Sequence, residues 1–303
     1  MDLSVIILNY NSADYLKKCL ESIDNSDIGK YKYEVIVVDN NSTDDSIQLA
    51  KDSKSLNTKY LTLNTNKGFA YGNNQGLKKI DSKTRFVLFL NPDTLVQKNT
   101  FKNMIEFFDQ NKEVDAATCQ IDLALTGKMQ PECHRGFPTP WNSLCHFSGL
   151  SKLFPDSKLF SGYFLGHLDK NIPHKIDACV GAFLMVKKEI GDKVKWWNEK
   201  YFFYGEDLDF CYQLKIQKFN LFFNPNCKII HFQGVSSGLI NKSKHLSLAS
   251  RETKIKVAKA STQAMRIFYQ ENLFSQYSPP VKFLVMSGIK MLELQRVLKA
   301  KYL

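Results

Sequence analysis

The sequence predicts an α/β fold: a mostly parallel sheet flanked by helices, with a helical C-terminal region. Three observations predict it. Apolar, β-branched runs alternate with helically spaced ones through residue 90, four of those runs stop at Asn or Asp, and positive charge is concentrated in the last fifth of the chain. Alternation favours parallel pairing because parallel strands need a crossover, and a helix is the usual one.

The first run, Leu3 to Leu8, gives way to Asn9-Tyr10-Asn11-Ser12, after which Leu16, Leu20 and Ile23 share one helix face. Glu34 to Val38 is the second strand and ends at Asp39-Asn40-Asn41; Ser42 is the expected N-cap of the next helix, with Asp45 three residues on and Ile47 and Leu49 inside it. Tyr60 to Leu63 ends in Asn64-Thr65-Asn66 before a third helix, and Arg85 to Leu90 ends in Asn91-Pro92-Asp93. In an open parallel sheet the ligand crevice lies at the carboxyl ends of the strands, so Asn9, Asp39, Asn64 and Asn91 should converge on one place. Turn formation explains any one of them but not four in register. Residues 126 to 178 carry Gly, Pro and scattered aromatics and read as an irregular excursion over the site, with Phe137 and Trp141 shaping its surface. Ala178 to Val186 and Lys228 to Phe232 read as further strands, and helical patterning dominates from Lys242.

With 303 residues, 44% of them hydrophobic, the chain has ample material for a packed core. Seven cysteines, odd in number and without a C-x-x-C spacing, argue against a disulfide framework or a zinc site and for reduced thiols in the cytoplasm. The only apolar run near the N-terminus is short and preceded by an acid, so no secretory signal is expected, and no run reaches membrane-spanning length. Of the net charge of +11, nine units fall in residues 241–303, where twelve Lys and Arg face three Glu. A neutral body with a basic tail, lacking any recognised nucleic-acid module, argues against nucleic acid as the partner.

Three clusters carry candidate chemistry. Asp93 ends a wholly apolar strand, the place from which a carboxylate reaches a hard cation, although a turn residue is the plainer reading. Glu206, Asp207 and Asp209 follow four aromatic positions and Gly205; acids suit a helix N-terminus, and a carboxylate there is also placed to take a proton from a sugar hydroxyl. Their mutual repulsion is expected to raise the Asp207 carboxyl. His231 follows a strand and is either a metal ligand or a satisfied structural residue. The stretch from Asn66 to Gly76, including Lys67, Gly68 and Asn73, is rich in glycine and amides, as a loop approaching phosphate or sugar would be. It matches neither G-x-x-x-x-G-K-[ST] nor G-x-G-x-x-G.

The ordered set SVIILNYN (4–11), VVDNNSTDDS (37–46), NKGFAYGNNQG (66–76), FLNPDT (89–94), GAFLMVKK (181–188) and FFYGEDLDFCYQLK (202–215) resembles the inverting glycosyltransferase family 2. Within it the chain is most similar to the bacterial rhamnosyltransferase-like branch that builds cell-surface polysaccharides. The resemblance implies a Rossmann-like GT-A domain over residues 1–240, followed by a basic helical region at 241–303. It implies transfer of a sugar, rhamnose by the same likeness, from a nucleoside diphosphate donor to a glycan or lipid-linked acceptor, with a divalent metal, Mn or Mg. Carried over by position, Asp39 contacts the donor base and Asn9 and Asn11 line that pocket. Asn91-Pro92-Asp93 stands in place of the D-x-D motif with Asp93 on the metal, His231 is a further metal ligand, Asp207 is the general base, and Glu206 helps place the acceptor. Asn91 departs from the fuller motif, which has aspartate there and one more negative charge.

Rivals from other classes are a non-catalytic sugar- or nucleotide-binding scaffold of the same fold, against which the intact G-E-D-x-D stands, and a nucleotidyltransferase, whose basic glycine-rich N-terminal loop is replaced here by Asn9-Tyr10-Asn11-Ser12. From Val281 to Leu298 a basic amphipathic helix is expected. It suits either the inner face of the cell membrane, as a peripheral contact, or packing on the body or on a second copy in a homodimer.

Overall fold

The computed structural model describes residues 1–302 except 54, 56 and 233–250. The helical onset expected at Lys242 and the boundary expected at 240/241 lie outside the described residues.

Among the described residues one nine-stranded sheet runs β3-β2-β1-β4-β8-β6-β9-β5, with β7 also on β9. Its first half is the alternating part of the sequence: β1 (Leu3–Asn9), α1 (Ala13–Asp24), β2 (Tyr33–Asp39), α2 (Ser46–Asp52), β3 (Thr58–Thr62), α3 (Phe69–Leu77) and β4 (Phe86–Leu90). These four strands pair in parallel, Leu3 to Asn9 matching Tyr33 to Asp39 residue for residue. Val5, Ile6 and Ile7 of β1, Val35 to Val38 of β2 and Val87 to Phe89 of β4 are all wholly buried, as strands covered on both faces must be. Leu16, Leu20 and Ile23 of α1 are equally buried, so the helix face read from the sequence is the one that meets the sheet.

The second half is mixed. After β5 (Thr94–Val96) and α4 (Thr100–Gln110) come β6 (Ala116–Leu123), α5 (Pro140–Phe147), α6 (Leu150–Leu153), β7 (His174–Lys175), β8 (Phe183–Lys187), α7 (Lys188–Val194), α8 (Glu206–Ile216) and β9 (Leu221–His231). β8 lies antiparallel between β4 and β6, and β5 lies antiparallel on β9. The largest departures from the expected strand starts are at β8 and β9. β8 starts at Phe183 because Ala178 is instead engaged in an isolated bridge with Arg135. β9 starts at Leu221, seven residues before Lys228, and continues through an irregularity where Cys119 matches Asn224 and Gln120 matches Lys228. Pro225 falls inside that irregularity, the position where a sheet tolerates proline.

α2 also begins later than expected, at Ser46 with Asp45 before it. The Ser42 hydroxyl is spent elsewhere, accepting hydrogen bonds from Asn9 Nδ2 (3.0 Å) and the Asn11 amide (3.0 Å). Two further helices, α9 (Arg251–Phe268) and α10 (Pro279–Tyr302), close the chain, joined by a π-helical turn at Tyr269–Leu273. The turn clamps the body: Tyr269 donates to the Pro138 carbonyl and Asn272 Nδ2 to Asp209 Oδ1 at 2.7 Å. Phe268 stacks on Phe137 at 6.3 Å, which places Phe137 in the core and not on the surface of the excursion; Trp141 is the exposed one of the two.

Candidate active site

The parallel register sets Asn9 beside Asp39. Asn9 is wholly buried, and its Nδ2 donates to Asp39 Oδ1 (2.9 Å), Ser42 Oγ (3.0 Å) and Ser46 Oγ (2.8 Å) while Ser12 donates to its Oδ1. Its work is therefore to fix Asp39, whose Oδ2 accepts from the Ser42 amide at 3.3 Å. Asn11, exposed and at φ +50°, accepts from the Thr43 amide at 2.8 Å and so pins the loop after β2. Asn40 was not singled out in the sequence; it is buried, donates to Asn66 Oδ1 (2.9 Å) and the Gly68 carbonyl (3.3 Å), and leaves its Oδ1 without a hydrogen bond.

Gly68 precedes α3 at φ +97°, and a Cβ there would sit 2.2 Å from the Phe202 carbonyl oxygen. Glycine is thus required both by conformation and by close approach, and the reward is the Phe69 amide donating to that same carbonyl at 2.9 Å. The Lys67 ammonium lies 4.9 Å from the Tyr71 ring centroid, and Asn73 is buried with its Nδ2 on the Phe69 carbonyl at 3.0 Å, so these two shape the loop from within.

The antiparallel pairing of β5 with β9 brings Asp93 to His231, 138 residues away. Thr94 is the register partner of His231, and the Phe232 amide donates to the Asp93 carbonyl at 2.9 Å. His231 is 4% exposed; its Nδ1 faces Gln130 Oε1 at 2.8 Å and its Nε2 lies 3.2 Å from Asp93 Oδ1 and 3.4 Å from Asn91 Nδ2. An amide oxygen only accepts, so Nδ1 carries a proton toward Gln130, and Nε2 is the ring nitrogen turned to Asp93 and Asn91. Burial works to raise the Asp93 carboxyl, but the charge and hydrogen bond of His231 and a backbone hydrogen bond outweigh it and hold the group below its ordinary range.

One carboxylate and one imidazole whose other nitrogen is held by a neighbour fit a divalent cation, with the remaining positions left to donor oxygens and water. Among the described residues no cluster of three or more His, Cys, Asp and Glu surrounds them. Gln130 was not foreseen; it is wholly buried and its Nε2 has no partner.

The third cluster opens α8. Gly205 takes the left-handed conformation (φ +85°) and turns the chain so that Glu206, Asp207 and Asp209 occupy the first turn, where the backbone N–H groups favour negative charge. Asp209 is buried and accepts from Tyr201 (3.3 Å), Asn198 (3.3 Å) and Asn272 (2.7 Å), a structural role. Asp207 keeps 13% of its side chain exposed, accepts from the Leu208 amide at 2.7 Å and is met by Arg135 Nη2 at 3.2 Å. Arg135, like Asn40 and Gln130, is a residue that sequence reasoning missed. It reaches α8 from the irregular excursion, held there by reciprocal backbone hydrogen bonds with Ala178, and its Nε is buried without a partner.

Within this cluster Glu206 is the carboxyl that is raised far. Its carboxyl is pushed up to about 8 by burial first and by the charge of Asp207 second. Glu206 is 7% exposed and its Oε2 has no partner, so near neutral pH it stands largely protonated and able to donate. Between the ordinary value of 4.5 and about 8 the folded protein holds a proton that the unfolded chain has released. The stability from that proton is complete below the lower value and is lost as pH climbs through the upper one. The urea-unfolding stability of the parent relative to Glu206→Gln, which cannot ionise there, should therefore fall across that window by up to a few kcal/mol. Parallel slopes for the two proteins would show that Glu206 is not the group responsible.

Strand ends facing one edge of a parallel half-sheet, a carboxylate–imidazole pair at the junction with a mixed half, and a carboxylate-bearing helix N-terminus define the GT-A class of glycosyltransferase folds. The chain belongs to glycosyl transferase family 2, whose model matches residues 4–190. Among curated relatives it is 26% identical to rhamnosyltransferase WbbL of Escherichia coli (strain K12) over 240 residues, covering 75% of this chain and 82% of that protein. It is 36% identical over 126 residues to the minor teichoic acid biosynthesis protein GgaB of Bacillus subtilis (strain 168), 41% of this chain but only 14% of GgaB. Solved structures with the same fold include Staphylococcus aureus TarS 1–349 (TM-score 0.55, 19% identity, 98% of this chain and 81% of that one). The mannosyltransferase PcManGT from Pyrobaculum calidifontis, in complex with GDP-Man and Mn2+, is another (0.58, 14%, 98% and 72%).

Proposed function

We propose that this chain transfers a sugar, with inversion, from a nucleoside diphosphate donor to a hydroxyl of a glycan or lipid-linked acceptor in cell-surface polysaccharide synthesis. The observation that carries the reading is the Asp93–His231 pair, 3.2 Å apart with the histidine Nδ1 held by Gln130. A partly exposed carboxylate beside an anchored imidazole is the arrangement that a diphosphate-bound cation requires. A divalent cation there, Mn or Mg, would supply positive charge opposite the diphosphate as it departs.

Every other part of the reaction falls to the chain itself. Asp39, fixed by Asn9 and the Ser42 amide, is directed to the donor base, with Asn11 beside it. The Lys67–Gly68 loop and Asn73 form the wall next to the donor. The acceptor oxygen forms its bond to the anomeric carbon as the bond from that carbon to the diphosphate oxygen breaks, and the acceptor proton passes to Asp207. Arg135 and the Leu208 amide hold the Asp207 carboxylate in one orientation for that transfer, and protonated Glu206 donates a hydrogen bond that places the acceptor.

Similarity to a rhamnosyltransferase along three quarters of the chain supports rhamnose as the sugar. The same reading keeps residues 1–240 as the catalytic domain and 241–303 as a basic helical region, and places the enzyme on the cytoplasmic side of the cell membrane. Among the described residues no helix is long and apolar enough to cross a membrane.

Calorimetric titration with UDP, GDP and dTDP, each with and without Mn2+, tests the reading. Binding of one of them that depends on the metal is expected and would name the donor class. Absence of binding for all of them under both conditions would remove it.

A further inference from the structure

α10 has two unlike faces. On the inner one Ile289 is buried, Val285 and Met286 pack against the core, Arg296 donates to Ser261 Oγ at 2.8 Å, and Glu293 pairs with Arg266 of α9. On the outer one Phe283, Leu284, Met291, Leu294, Leu298 and Tyr302 are 53–78% exposed. Leu284, Met291 and Leu298 are spaced by sevens, almost two helical turns, and so form a single line along the helix. Lys290, Lys299 and Lys301 are exposed along this surface, and Gly288 has open space where a side chain would be. The one acid of α10, Glu293, is on the inner side and already paired.

Large apolar side chains in a line, lysines along them and no free carboxylate set the chemistry of whatever covers this surface. We propose that the outer face of α10 docks on an anionic phospholipid surface, as a peripheral contact with the helix lying in the plane of the interface. The acyl boundary takes the apolar line, and lipid phosphates answer the lysines. A second copy of this chain fits poorly, since two such faces bring lysine against lysine with no acid on either side. This inference extends the proposed function by locating the acceptor's compartment. It rests on a different observation, and its test needs no activity.

Flotation of the full chain with vesicles of phosphatidylcholine alone, and of phosphatidylcholine mixed equally with phosphatidylglycerol, reads the contact directly. Two variants separate its parts: Leu284→Gln with Met291→Gln and Leu298→Gln, and Lys290→Gln with Lys299→Gln and Lys301→Gln. All six positions are exposed, so thermal unfolding should match the parent. The parent is expected to float with the anionic vesicles only, and each triple variant to lose on the order of a hundredfold in partition. Failure of the parent to float, or flotation that survives the apolar triple variant, overturns the proposal. A dimer seen by ultracentrifugation, dissolved by that same variant while no vesicle binding occurs, would give the face to a second copy instead. Asp207→Asn leaves this readout untouched, so failure of the catalytic assignment and failure of the docking proposal remain distinct.

Discussion

Asp207→Asn is expected to lower kcat by on the order of 10²–10⁴-fold while leaving donor affinity within a small factor of the parent. Asparagine keeps the shape of the side chain and an oxygen for the Leu208 amide, but it cannot accept a proton from the acceptor hydroxyl. The replacement also removes the charge opposite Arg135, whose Nε is already buried without a partner. A stranded cation at this depth costs about 3–5 kcal/mol at most, so the variant should melt at a lower temperature and still fold. Single-turnover transfer and donor titration on the same preparation separate the two effects. Turnover near the parent rate would remove Asp207 as the base, and loss of donor binding with preserved turnover would move it to the donor site.

Asp93→Ala should have the second largest effect, and a different signature. It deletes the one carboxylate beside His231 Nε2 and leaves that nitrogen with only the Asn91 amide at 3.4 Å. Affinity for a nucleoside diphosphate in the presence of Mn2+ is expected to fall by roughly 100-fold or more, and affinity measured without metal to change little. Transfer should fall with it. If the metal-dependent and metal-independent affinities fell together, Asp93 would be supporting the strand end and not a cation.

Legibility followed the range of the interactions. The four parallel strands could be read because each is a local apolar run with a polar stop, and α1 because Leu16, Leu20 and Ile23 repeat at helical spacing. Asp93 and His231 could each be suspected, but their meeting is made by antiparallel pairing across 138 residues, which no local pattern encodes. Arg135 and Gln130 lie in an excursion with no periodicity, so nothing marked them as residues turned inward. A basic residue that ends beside the Asp207 carboxylate looks in sequence like any surface arginine. Ser42 misled for the opposite reason: its hydroxyl suits an N-cap, yet tertiary partners in β1 and the loop after it compete for that oxygen and win.

The contact at Gly68 joins the loop before α3 to the segment that leads into α8 through two peptide groups, the Phe69 N–H and the Phe202 C=O. A joint made of main-chain atoms is indifferent to the identity of nearly every side chain around it. The loops on either side are therefore free to vary in composition without loosening the mechanical connection between α3 and α8. Only at position 68 does that freedom end, and the whole linkage leaves no other trace in the sequence than one glycine.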